Sequence, residues 1–450
     1  MAAMALAAAS SASPGRSPLN SSFTAGRERN RFGPSSTRSS TSSTLESGWS
    51  APRGMGVSIL IVMPDPTALR RIVDARLPRF LVDLETLVNI DCGSYTPDGV
   101  NRVADFVAGA LRTLGADVER RAHVPDDGGP QLGDLVIGRI EGNGPRVLLI
   151  GHMDTVFDPG TVDARPYRST GDRATGPGVT DMKAGLLAGL YAIGALHEAG
   201  TRPAITFVAN PDEEIGSPFS TPVIRALAPE HDAVLVLECA RASGAIVSAR
   251  KGVADYRFEI VGRAAHAGVE PEKGRSAIVE ASHQVLALHA LNGRWPNVTV
   301  NAGVIHGGTR PNVVAERCEM EVDMRAATVD AFEAAAAEVE RLATSPSVEG
   351  VTVAVHRTAG HPPMEKTEAS ARLVALAVLL AGELGFDLAD AATGGASDAN
   401  TTAALGLPTL DGLGPVGGDD HSVDEWLDLT SVVPRTTLLA GLIGRIGEAL

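Results

Sequence analysis

Three near-continuous apolar runs constrain this chain more than any other feature: "RVLLIGHMD" at 146–154, "AITFVAN" at 204–210 and "AVLVLEC" at 233–239. A strand that is apolar at successive positions must be buried on both faces. Between the first two runs, "DMKAGLLAGLYAIGALHEAG" reads as a helix that ends in glycine, and upstream "LRRIVDARLPRFLVDLETLVNI" and "GVNRVADFVAGALRTLG" read as amphipathic helices. Doubly buried strands alternating with helices predict an α/β fold with a mixed, largely parallel sheet and flanking helices, whose functional residues gather at the carboxyl ends of the strands. His152, Glu213, Glu214 and Glu238 all fall at such ends.

The character changes near residue 251. "VADYRFEIVGRAAHAG", "NVTVNAGVIHGG" and "ERCEMEVDMRA" read as strands, and "SAIVEASHQVLALHALN" and "DAFEAAAAEVERLAT" as helices, which together predict a separate α+β unit. The expected organisation is one domain in two segments, 66–250 and 361–450, with residues 251–360 inserted between them. Residues 1–56, rich in Ser, Ala and Arg and without apolar periodicity, are expected to be a disordered extension.

A net charge of −15 argues against nucleic acid or an anionic membrane as a partner and leaves small molecules or short peptides as the expected substrates. No run approaches the roughly 18 apolar residues of a spanning helix, so no membrane association is expected. Three widely spaced cysteines, Cys92, Cys239 and Cys318, suggest neither a disulfide framework nor a cysteine zinc site, and point to a reducing, cytoplasmic setting.

The chemistry-bearing residues lie in five short stretches. His152 and Asp154 in "GHMD" alternate onto one face of a strand end, where a carboxylate can orient an imidazole. Asp181 stands in the glycine-rich "ATGPGVTDMKAG", Glu213 and Glu214 in "NPDEEIGS", Glu238 in "VLECA" and His421 in "GGDDHSVDEW". Each alone has a plain account: a helix cap, a solvated loop or a surface histidine. Two histidines and several acids at one end of one sheet point to metal. Carboxylates with imidazoles and no thiolates suit zinc, cobalt or manganese in a catalytic site. Five ligands, one acid bridging, suffice for two ions about 3.5–4 Å apart. A hydroxide held between the ions would be the nucleophile, and the carboxylate of the Glu213–Glu214 pair that is not a ligand would take its proton.

"GHMDTV", "GPGVTDMKAG", "NPDEEIGS" and "GGDDHS" agree in order and spacing with a known family. From about residue 68 to the end the chain resembles the dizinc exopeptidases and deacylases, which include glutamate carboxypeptidases, acetylornithine deacetylase, succinyl-diaminopimelate desuccinylase and aminoacylases. It is most similar to the bacterial glutamate carboxypeptidase branch. The resemblance implies that Asp181 bridges two Zn2+ ions, with His152 and Glu238 completing one and Glu214 and His421 the other; Co2+ or Mn2+ would substitute. It makes Glu213 the general base, Asp154 the acid that orients His152, and the Asp181–Met182 peptide bond cis. The inserted unit becomes a lid and dimerisation domain. His266 in "AAHAG" would act on the substrate and hold its oxyanion, reaching across a homodimer. Asn312 in "RPNVV", Arg325 in "VDMR" and Asp398 in "GGASDAN" match substrate-binding positions.

The implied activity is zinc-dependent hydrolysis of the amide bond of an N-acyl amino acid or short peptide. The alternatives are a small-metabolite N-deacylase of the acetylornithine or succinyl-diaminopimelate type, and a non-catalytic binding protein on this scaffold. Two departures stand out. Glu238 is followed by Cys239 where relatives often have proline, and "AGHPPM" places His361 where the glutamate-specific branch has an arginine, which leaves a preference for C-terminal glutamate open.

Overall fold

A computed structural model describes residues 65–126 and 128–450. The expectation for residues 1–56 lies outside them. The six-stranded sheet runs, from one edge to the other, Asp117–Arg121, Leu135–Ile140, Pro203–Asn210, Asn143–His152, Ala233–Val236, Thr409–Leu410. Its last four strands are parallel and the first two form an antiparallel edge, so the sheet is mixed and largely parallel.

The apolar runs are explained by what covers each face. Along Asn143–His152, Val147 and Leu149 pack into the core built with the helices Pro66–Val88, Pro97–Thr113, Ala184–Glu198, Glu368–Leu384 and Val432–Arg445. Leu148 and Ile150 point the other way, into a second core with the helices Ser220–Leu227 and Asp398–Ala404. Each such side chain contributes about 1.5–3 kcal/mol of burial. The stretch Val179–Glu198 matches a spanning helix in length and hydropathy, contrary to the expectation that none would. Within its most apolar window 89% is buried, so its apolarity belongs to the core.

Residues 252–361 form a second, antiparallel sheet in the order Thr299–Gly307, Arg317–Ala326, Gly252–Val261, Thr352–His361. Strict alternation along Gly252–Val261 puts Ala254, Tyr256, Phe258 and Ile260 inside, against the helices Ala277–His289 and Val329–Ala343. Ser276 and Thr328 cap those helices, each side chain accepting a main-chain N–H of the first turn.

A small third sheet of Gly417–Gly418, Trp426–Asp428, Arg173–Thr175 and Arg168–Thr170 was not legible in the sequence. Its pairing of Trp426 with Thr175 and Leu427 with Ala174 brings the segment after His421 beside the segment before Asp181.

Candidate metal centre

His152 closes its strand with the imidazole fully buried. Its Nε2 lies 3.1 Å from Oδ1 of Asp181 and 3.6 Å from Oε1 of Glu238. Its Nδ1 is 3.0 Å from the main-chain carbonyl of Asp154 and 3.5 Å from that residue's carboxylate, so the nearer partner is the backbone. The Asp154 carboxylate accepts the N–H of Glu213 and that of Glu214, both at 3.2 Å, and the hydroxyl of Ser94 at 2.7 Å. Asp154 therefore ties the acidic turn after Pro203–Asn210 to the strand that carries His152.

Asp181 follows a tight turn in which Gly178 has φ +70 and lies so close to Thr155 that a Cβ would fall 2.5 Å from its Cγ2, which requires glycine. The Asp181–Met182 peptide bond is cis. Oδ1 of Asp181 faces His152, and its Oδ2 lies 3.2 Å from Nε2 of His421. The same His421 nitrogen is 3.1 Å from Oε2 of Glu214. His152, Asp181 and Glu214 offer ligand atoms within 4.8 Å of one another, and so do His152, Glu213 and Glu238.

The electrostatics are those of a site short of positive charge. Burial pushes Asp181 up, but the hydrogen bonds from His152 and His421 outweigh it and hold its carboxyl well below the usual range. Burial pushes Glu214 up to about 7, and burial with the charge of Glu238 raises Glu213 well above the carboxylate range. Hydrogen bonds to Asp181 and Glu214 push His421 up to about 11. Crowded buried carboxylates need cations. The donor set fits divalent ions that accept both imidazole and carboxylate, and the thiol of Cys239, beside Glu238, lies 3.3 Å from Nη2 of Arg241.

The other candidates are placed differently. Asp398 is buried, its Oδ1 accepting the Ser217 hydroxyl at 2.7 Å and its Oδ2 the Asn210 amide. Both of its oxygens are engaged beside the turn that carries Glu213 and Glu214, at the start of the helix Asp398–Ala404. Burial also raises it to about 7. His266 is exposed; its main chain bridges to Val313, and the Asn312 carbonyl accepts the N–H of Ala267 at 3.0 Å. Arg325 pairs with Asp323 and donates Nη1 to the Gly394 carbonyl at 2.9 Å. Among the described residues, none of these three contacts the carboxylate cluster in its own chain. Ideal Cβ geometry at Gly216 places His361 Nε2 3.7 Å away, so His361 borders the acidic turn.

Sequence reasoning missed Glu425, Arg250 and Lys183. Only Lys183 carried a signal, being a lone charge at the head of an apolar helix; it is fully buried, donating Nζ to the carbonyls of Ile90 and Pro177 at 3.1 and 3.0 Å.

Comparison with known proteins places the chain in a family. Carboxypeptidase G2 of Pseudomonas sp. (strain RS-16) is 34% identical over 376 residues, which covers 82% of this chain and 90% of that protein. N-acetyl-L-citrulline deacetylase of Xanthomonas campestris pv. campestris is 32% identical over 225 residues, 45% of this chain and 60% of that protein. Among solved structures, aminopeptidase PepT from Bacillus cereus superposes with a TM-score of 0.67 at 24% identity, covering 82% of this chain and 98% of that one. An M20 family metallo-carboxypeptidase from Sulfolobus solfataricus gives 0.64 at 15% identity, covering 81% and 98%. Residues 148–445, well over half of the chain and all five stretches that hold the metal-site candidates, match Peptidase family M20/M25/M40, and this protein belongs to that family of metal-dependent hydrolases.

Proposed function

We propose that this protein is a two-zinc hydrolase that cleaves the amide bond of an N-acyl amino acid or short peptide and releases an amino acid with a free carboxylate. The observation that carries the reading is the Asp181 carboxylate, whose two oxygens lie 3.1 and 3.2 Å from Nε2 of His152 and of His421. His152, Asp181 and Glu238 would hold one ion, and Asp181, Glu214 and His421 the other. When bound, the ions would polarise the scissile carbonyl and make water a nucleophile near neutral pH. Glu213 takes the proton at its carboxylate and delivers it to the leaving nitrogen. No side-chain hydrogen bond of Glu213 is found among the described residues, which leaves both of its oxygens available for that transfer.

Removing metal with a chelator is expected to abolish hydrolysis and lower the melting temperature. Zinc returned at about 100 times its dissociation constant should add about 2.7 kcal/mol of stability. Hydrolysis that survives chelation would sink the reading. A panel of acyl-glutamates, acyl-ornithine, succinyl-diaminopimelate and dipeptides would then identify the substrate, with His361 beside the acidic turn as the residue that decides whether glutamate is preferred.

Substrate contacts are assigned to Asn312, Arg325 and His266, with His266 supplied by the second subunit of a homodimer formed through the inserted domain. In support, the edge strand Thr299–Gly307 exposes Val304 and Ile305, at 39% and 49%, along an open sheet edge. Mixing Glu213→Ala and His266→Ala protein, each nearly inactive alone, should restore about one quarter of wild-type sites by two-fold symmetry. If subunits exchange and no activity returns, His266 does not work across the interface. A cytoplasmic setting completes the proposal; Cys92, Cys239 and Cys318 are all free and buried, which suits a reducing compartment.

A further inference from the structure

Glu425 stands four residues after His421 and is 1% exposed. Its Oε2 accepts the N–H of Gly178 at 2.8 Å, and its Oε1 accepts those of Thr180 and Asp181 at 2.9 and 3.2 Å. A buried carboxylate is costly, and hydrogen bonds from main-chain N–H groups offset part of that cost. Three donors divided between two oxygens suit a carboxylate. A glutamine would turn its own N–H groups toward one of them.

The three donors belong to the turn that carries Asp181, the residue whose carboxylate reaches both His152 and His421. Glu425 is in turn anchored by its chain neighbours, since Trp426–Asp428 pairs with Arg173–Thr175 only a few residues before that turn. The two segments touch at Gly417 as well, where a Cβ would fall 1.9 Å from Oγ1 of Thr180. Glu425 and His421 thus clip one short segment to another, Glu425 by accepting main-chain N–H groups of the 178–181 turn and His421 by contacting the Asp181 side chain.

We propose that Glu425 is a positioning residue for the metal centre: it holds the 178–181 turn in its ligating conformation before metal arrives, so that Asp181 is already placed to bridge. This rests on the reading of Asp181 as the shared ligand. Zinc affinity of Glu425→Gln, Glu425→Asp and Asp181→Asn protein, measured by competition with a chromophoric chelator, tests it. Glu425→Gln should bind zinc about 10–100-fold more weakly, as expected when a residue that orients a ligand is lost. Glu425→Asp, which keeps the charge on a shorter arm, should recover part of the loss.

A merely structural role would lower the melting temperature of metal-free and zinc-loaded protein alike and leave zinc affinity unchanged, and wild-type affinity in Glu425→Gln overturns the proposal. If Asp181→Asn also kept wild-type affinity, the reading of Asp181 would fail with it; a loss confined to Asp181→Asn would sink the role of Glu425 alone. Should Glu425→Gln not fold, amide exchange in metal-free wild-type protein decides. Protected N–H groups at Gly178, Thr180 and Asp181 support the proposal, and exchange at the rate of unstructured peptide overturns it.

Discussion

Replacing Glu213 by Gln is expected to lower kcat by about 100-fold or more, with KM little changed and both metals still bound. The amide keeps the size of the carboxylate but cannot accept a proton. The turn should stay in place, because the Asp154 carboxylate holds the main-chain N–H groups of residues 213 and 214 whatever side chain is present. Glu214→Gln should behave differently. Glu214 lies 3.1 Å from His421 and shares a ligand cluster with Asp181 and His152, so its loss should appear first in zinc content. Steady-state kinetics with metal analysis separates the two, and retention of more than about a tenth of wild-type turnover in Glu213→Gln would place the base elsewhere.

Arg250→Met should cost about 3–5 kcal/mol of stability, the range for breaking a buried ion pair from one side. Arg250 ends the strand Ile246–Arg250, which pairs in parallel with Asp390–Thr393. Its Nε donates to Asp411 at 2.7 Å and its Nη1 to the Gly395 carbonyl at 3.1 Å. Asp411 is wholly buried and also accepts the Ser397 hydroxyl and its neighbour Gly412's N–H, both at 2.6 Å. Those bonds do not balance its charge once the guanidinium is gone. The pair fastens the chain before the inserted unit to the chain after it. Adding Asp411→Asn to the Arg250→Met protein should therefore recover more than half of the loss, because the coupling between contacting residues is removed together with both charges. Denaturant midpoints of the two single variants and the double variant measure this, and strictly additive losses would show that the charges do not depend on each other.

Much of the six-stranded sheet was legible in the residues themselves. A strand covered on both faces must be apolar at successive positions, so "RVLLI" announced a parallel sheet before any partner strand was known. Polar residues that abruptly end such runs, His152 and Glu238, fall at the carboxyl end because interior positions have no place for them. The second sheet was legible for a related reason: alternation along Gly252–Val261 reports a sheet with one buried face. These are local patterns, imposed on neighbouring residues by one environment.

What only the tertiary structure decided is carried by main-chain groups and by distance along the chain. The Asp154 carboxylate lies 3.5 Å from His152, and it also holds two N–H groups some 60 residues away. Asp398 is held by Asn210 and Ser217, about 190 and 180 positions earlier in the chain. Glu425 binds a turn 247 positions earlier. Nearly every residue has the same N–H, so no letter marks which of them will converge on a carboxylate. Side-chain chemistry named the candidate ligands at the strand ends; the packing of strands and turns determined which backbone donors would hold them in place.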